Sequence, residues 1–251
     1  MTSLPQRRAA FRSLHQSGCF VLPNPWDAGG ALRLAKLGFK ALASTSAGAA
    51  WALGRADGEL SVDTVLNHLQ QLVAATDLPV NADFEAGFAD TTAAVAVNVA
   101  RCIDTGVAGL SIEDRHGKEL HPFETAVHRI RAARDAIDRS GQDVMLIGRC
   151  ESFFIGQPDF DQTLARLKAY GAAGADCLYA PGIKDLALIA RLVKALDKPV
   201  NALLSGTGLS VSELAGVGVR RVSVGGSLAK ASWTAFDDAA QLLYTEGRLP
   251  A

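Results

Sequence analysis

Short runs of β-branched and apolar residues alternate along this chain with longer stretches in which apolar positions recur every three or four residues. The runs fall at 20–26, 41–46, 79–85, 109–114, 144–151, 176–180, 199–204 and 219–224, and each reads as a strand. Between them the wider spacing predicts helices over 61–75, 91–105, 123–139, 160–170 and 184–196, with Gly or Asp near their ends. A further helix, 6–16, precedes the first strand and is expected to cover the barrel bottom, and 233–245 reads as an amphipathic last helix. Unbroken strand-helix alternation implies parallel strands joined by right-handed crossovers. Eight such units predict a closed (β/α)8 TIM-type barrel. An open doubly wound sheet would stop at about five to seven strands and show a Gly-rich turn after the first, whereas the first strand here ends in Pro23-Asn24-Pro25-Trp26-Asp27.

Composition narrows the picture. A chain of 251 residues that is 49% apolar can bury one core, so one domain over 1–251 is expected. The formal charge of −1, with no basic block or acidic tail, gives no electrostatic footing for nucleic acid or a membrane surface and leaves a small molecule as the expected partner. The N-terminus lacks an apolar signal core, and no run approaches the roughly 20 apolar residues of a membrane span, so a soluble, cytoplasmic protein is expected. Cys19, Cys102, Cys150 and Cys177 are scattered without CxxC spacing, as befits reduced thiols rather than a zinc knuckle or redox pair.

In such barrels, functional groups gather at the C-terminal ends of the strands. Here those ends are acidic. With a side-chain period of two, Asn81, Asp83 and Glu85 share one face of the third strand, and Ser111 and Glu113 share one face of the fourth. Carboxylates converging at one mouth repel unless a cation lies between them, and oxygen-rich sites suit Mg²⁺ or Mn²⁺. The plainer reading of Glu85 and Asp114 is that they cap the helices that follow. On the fifth strand Arg149 and Glu151 share a face; Arg149 is suited to hold a substrate carboxylate, or else to pair with Glu151 or Glu113. Asn201 is an inward polar group on the seventh strand, or a satisfied core amide. No strand ends in Lys, which argues against a Schiff-base aldolase. Gly225-Gly226 after the eighth strand fits a phosphate cradle or simply a tight turn.

Taken in order, Pro23-Asn24-Pro25-Trp26-Asp27, Ser44-Thr45-Ser46-Ala47-Gly48, Asn81-Ala82-Asp83-Phe84-Glu85-Ala86-Gly87-Phe88, Ile112-Glu113-Asp114 and Gly148-Arg149 resemble the isocitrate lyase and phosphoenolpyruvate mutase superfamily. The resemblance implies that Asp83 is the principal Mg²⁺ ligand and that Glu85 and Glu113 hold the metal largely through its waters. It places Asp57 near metal and substrate, and Ser44, Thr45 and Ser46 at the oxo-carboxylate end of the substrate with Arg149 opposite. It implies a small 2-oxo acid substrate, an enolate stabilised by the metal, and a homodimer or homotetramer formed by exchange of C-terminal helices, with Trp233 and Phe236 as anchors. The lyases' Lys-Lys/Arg-Cys-Gly-His segment is replaced here by Arg115-His116-Gly117-Lys118-Glu119-Leu120-His121-Pro122, so the catalytic Cys is absent and His116 or His121 would have to move the proton. The mutases' Lys-x-Asn-Ser pattern is missing as well. The expected activity is therefore a Mg²⁺-dependent lyase or decarboxylase on an oxaloacetate-like or substituted malate-like acid. The alternatives are C–P chemistry of the mutase or phosphonopyruvate hydrolase kind, and a catalytically silent barrel that binds a 2-oxo acid.

Overall fold

The structure, a computed structural model, describes residues 2–206 and 208–250. Eight parallel strands form one sheet: β1 (Phe20–Leu22), β2 (Leu42–Ala43), β3 (Val80–Asp83), β4 (Gly109–Glu113), β7 (Met145–Arg149), β8 (Cys177–Tyr179), β9 (Val200–Leu203) and β10 (Arg221–Ser223). Their order is β1-β10-β9-β8-β7-β4-β3-β2. The two ends meet where the Ala43 N–H donates to the Pro23 carbonyl at 3.0 Å, so the sheet is a barrel. Each strand expected from the sequence contains one of these, although the hydrogen-bonded ladders are shorter. The expected ends run past the ladder onto the mouth, where Thr45 no longer belongs to a strand but caps the next helix.

That helix, α3 (Ser46–Ala52), and α2 (Ala28–Lys36) and α9 (Val211–Gly216) were not expected from periodicity. Two are too short to show it, and α2 opens on Gly29-Gly30. What defines α2 and α3 is the cap: Asp27 accepts from the Gly30 N–H and Thr45 from the Gly48 N–H. The expected helices are α1 (Leu4–Leu14), α4 (Val62–Ala75), α5 (Thr92–Asp104), α6 (Phe123–Ser140), α7 (Phe160–Ala172), α8 (Leu186–Ala195) and α10 (Ser227–Glu246). Between β4 and α6 the chain makes a small antiparallel hairpin of β5 (Arg115–His116) and β6 (Glu119–Leu120).

The core has two parts. Between strands and helices lies the larger one, with Leu69, Leu72, Val99, Ile130, Leu146 and Leu178 among its fully buried members. The smaller one fills the barrel: Leu22, Ala41, Ala43, Ala108, Met145, Ile147 and Cys177, closed at the bottom by Phe11 of α1. Phe11 reaches in because Gly109 has no side chain, since a Cβ there would stand 2.7 Å from the Phe11 ring and 2.8 Å from the Asn81 Oδ1. Helix α10, although 20 residues long, buries only Ala229 and leaves Trp233, Phe236, Leu243 and Tyr244 exposed. Among the described residues no helix is long and apolar enough to cross a membrane.

Candidate active site

Strand register sets the site. Asp83 lies beside Ser111, and Glu113 beside Arg149; from there a single row of partners continues through Tyr179, Asn201 and Arg221. Glu113 and Arg149 end their strands at the mouth while Arg221 begins its own. The row therefore runs from the mouth down into the barrel, as the tilt of barrel strands requires.

At the mouth Arg149 gathers the acids. Its Nη1 donates to Asp83 Oδ1 at 3.1 Å and stands 3.3 Å from Glu113 Oε2, while Nε donates to Glu151 Oε1 at 2.5 Å. Burial alone would push this guanidinium's pKa down; Glu151, Glu113 and Asp83 outweigh it and hold the group firmly cationic. Asp83 Oδ2 accepts from the Ser46 N–H at 3.0 Å, and the Asp83 N–H donates to Ser44 Oγ at 2.8 Å. Asn24 ties the ends of three strands together: its Nδ2 donates to the Ser44 carbonyl, and its Oδ1 accepts from the Val224 and Gly225 N–H groups. The Gly225 amide, one of the pair expected as a possible phosphate cradle, is thus taken up within the protein.

Two cavities meet at this cluster. One, of about 310 Å³, descends into the barrel and is lined by Ser44, Thr45, Ser46, Asp83, Arg149 and Arg221 together with Trp51, Phe154, Tyr179 and Leu203. The other, of about 230 Å³, lies under the hairpin and is lined by Asp57, Glu85, Glu113, Arg115, Gly117 and Arg149. Ser46, Asp57 and Arg149 line both.

The carboxylates feel one another. Glu85 sits in the left-handed region at φ 44°, a backbone shape that non-glycine residues seldom adopt and that recurs at functional sites. Its loop is clamped from α6 by Arg129, which donates to the carbonyls of Ala86, Ala89 and Asp90. Burial first, then the charges of Asp83 and Asp57, push the Glu85 carboxyl up to about 7. Glu113 is raised well above the usual carboxylate range by burial, with Glu151, Asp83 and Glu85 adding to it and Arg149 opposing.

A group raised in the folded state stabilises below its ordinary pKa, and that contribution is lost as pH rises through the folded value. For Glu85 the window runs from about 4.5 to about 7. We expect the metal-free protein to lose urea resistance across it, and Glu85→Gln to flatten that loss; an unchanged slope would show that the Glu85 charge is not the cause.

Not every expected residue arrives at the cavities. His121 packs its ring on His116 at 4.8 Å, its N–H and carbonyl are bonded to Asp114 and Arg166, and it lines neither cavity. Asn201 is a satisfied core amide, donating to Ser223 Oγ and accepting from Arg221 Nε. Asp114 turns away from the mouth, where it accepts from Tyr170, Arg166 and the Glu151 N–H. The three expected metal ligands are also not drawn into a direct cluster: among the described residues no group of three or more His, Cys, Asp or Glu side chains is placed to hold a metal ion. The guanidinium of Arg149 lies between Asp83 and Glu113, in the pairing with Glu113 that the sequence also allowed. Arg221 begins its strand, so the acidic strand ends do not point to it. Period two from Ser223 would have shown it on the inward phase.

Comparison with known proteins places this arrangement. The family model for phosphoenolpyruvate phosphomutase matches residues 11–244. The chain belongs to this family. Among curated relatives of this phosphoenolpyruvate phosphomutase-family chain, an uncharacterised protein of Mycobacterium tuberculosis is 33% identical over 86% of this chain and 81% of its own. An oxaloacetate decarboxylase of Chromohalobacter salexigens is 30% identical over 86% and 77%. Among solved structures, a candidate lyase/mutase of Burkholderia cenocepacia superposes with a TM-score of 0.95 at 45% identity, covering 98% of this chain and 91% of that one. A 2,3-dimethylmalate lyase, itself described as a member of the PEP mutase/isocitrate lyase superfamily, superposes with a TM-score of 0.88 at 27% identity over 100% and 90%. The superfamily that the sequence resembles is thus the one to which the chain belongs, and its fold is the expected barrel.

Proposed function

We propose that this protein is a carbon–carbon lyase that cleaves a small 2-oxo or 2-hydroxy di-acid of the oxaloacetate or substituted malate kind, with pyruvate or a close relative as one product. The observation that carries the reading is the position of Asp83. It is held by the Ser46 N–H and by Arg149 on the wall where an anion-accepting cavity meets a carboxylate-lined one. The named relatives that cleave or decarboxylate such acids support it.

Asp57, Glu85 and Glu113 line one small cavity with hard oxygen donors and Asp83 lies beside it, and burial and mutual repulsion raise the Glu85 and Glu113 carboxyls despite Arg149. A set of oxygen donors of this chemistry suits a Mg²⁺ or Mn²⁺ ion that keeps several of its waters, as Mg²⁺ commonly does. When bound, such a cation supplies positive charge for an enolate oxygen that forms as a bond to C3 breaks. The protein's own part is to orient the acid. The Ser44–Ser46 turn and Arg149 grip the oxo-carboxylate end, the apolar Trp51, Phe154 and Leu203 face the C3 side, and the hairpin roofs the carboxylate cavity.

The test is a panel of oxaloacetate, substituted malates and phosphonopyruvate, read for pyruvate and for inorganic phosphate. Pyruvate from the first two classes is expected. Phosphate release from phosphonopyruvate alone would replace the reading with C–P chemistry, and silence on all three would leave a binding protein.

A further inference from the structure

Arg221 is 2% exposed and lies inside the barrel, yet it meets no carboxylate at ion-pairing distance among the described residues. Its Nε donates to Asn201 Oδ1 at 3.0 Å and its Nη1 reaches Asn81 Oδ1 at 3.5 Å. Both partners are neutral amides. Two other buried arginines also lack a carboxylate, but they are spent on structure: Arg8 on the carbonyls of Val107 and Ile103, and Arg129 on the loop beneath Glu85. Arg221 instead forms part of the lining of the larger cavity, together with Asn81, Ser111, Tyr179 and Ser223.

An unpaired buried cation is costly to keep. Burial is the main influence on its pKa and pushes it down, with only distant opposing help from Cys177, Tyr179 and Asp83. Asn201 and Asn81 fix the guanidinium without neutralising it, and Asn201 is itself fixed by Ser223. The arrangement therefore preserves a full positive charge at the inner end of a cavity whose outer end already has an anion grip in Arg149 and the Ser44–Ser46 turn. A guanidinium so placed matches a carboxylate in both charge and shape.

We propose that Arg221 is the binding residue for a second carboxylate of the substrate, making the site selective for dicarboxylic acids over their monocarboxylic counterparts. This rests on the reading of the site as one for 2-oxo and 2-hydroxy acids. It adds that the acid spans the cavity, with one carboxylate near Arg149 and the other at Arg221. The apolar side chains of Trp51, Phe154 and Leu203 are left for whatever substituent C3 bears.

The experiment is calorimetric titration, with Mg²⁺ present, of pyruvate, lactate and malate into the wild type, Arg221→Met and Arg221→Lys. Lactate and malate differ by one carboxylate. The wild type is expected to bind malate at least about tenfold more tightly than lactate. Arg221→Met should weaken malate by about 10- to 100-fold, the worth of a charge-assisted hydrogen-bonded pair, while moving pyruvate and lactate by less than about threefold. Arg221→Lys, which retains the charge but not the fork, should fall between and serves as the working variant if the Met protein does not fold. Equal weakening of all three acids would assign Arg221 a purely structural role and overturn the proposal. So would malate affinity unchanged in a folded variant, or a wild type that binds pyruvate but prefers malate no more than lactate. A wild type that binds none of the acids would overturn the 2-oxo acid reading itself, and Arg221's role with it.

Discussion

Asp83→Ala is expected to lower kcat/KM for the preferred di-acid by about 10³-fold or more, the scale on which enzymes lose a group that organises charge at the reacting centre. The stability should change by no more than about 1 kcal/mol. The asymmetry follows from its contacts. Asp83 accepts from the Ser46 N–H and from Arg149, and so sets the relation between the substrate turn and the cationic anchor. Yet Arg149 keeps Glu113 and Glu151 when Asp83 is gone. The loss also removes one of the charges that raise Glu85, whose pKa should move down from about 7. Steady-state kinetics beside urea unfolding measures both halves; substantial activity in a folded, chelator-treated Asp83→Ala protein would refute the assignment.

Arg149→Met should do the opposite, damaging the fold as well as the chemistry. It leaves Glu113 and Glu151 buried beside Asp83 with their common cation removed, and breaking a buried ion pair from one side costs about 3–5 kcal/mol. One Glu151 oxygen, Oε2, is already buried without a partner. The acids can respond only by holding protons. Glu113 and Glu151 are raised even with Arg149 present, and without it they rise further, so the folded variant binds protons that the unfolded chain releases. By linkage its stability falls as pH rises, and the defect relative to the wild type should be larger at about pH 8 than at about pH 5. Urea midpoints at both values test this. A defect that is constant with pH would point to lost packing over Tyr179, on which the guanidinium stacks at 5.3 Å, instead of lost charge.

The barrel was legible because eight β-branched runs and the long helices between them leave strong periods, and because the acidic residues at strand ends fall on one phase. Asp83, Glu113 and Arg149 are brought together as that phase requires. What sequence could not show was how far Arg149 reaches. Its pairing with Glu151 or Glu113 was an open alternative, but that it touches both of them and Asp83 as well is set by register and side-chain length. His121 looked available because it falls in the segment that replaces the lyases' Cys-bearing one, yet the return of the chain to α6 stacks it against His116. Asn201 and Arg221 share the inward row, but only three-dimensional contact shows that the amide serves the guanidinium and that the guanidinium faces the cavity. Helices α2 and α3 were hidden because their starts depend on single caps, Asp27 and Thr45, rather than on a long apolar stripe.

The most direct test of the central claim is pyruvate release by the purified protein from oxaloacetate and from substituted malates, with Mg²⁺ and then with a chelator, each corrected for release by the metal alone. The account predicts release from at least one of these acids well above that background, lost on chelation and restored by Mg²⁺. Release that persists undiminished in chelator, or none from any of these acids, would contradict it.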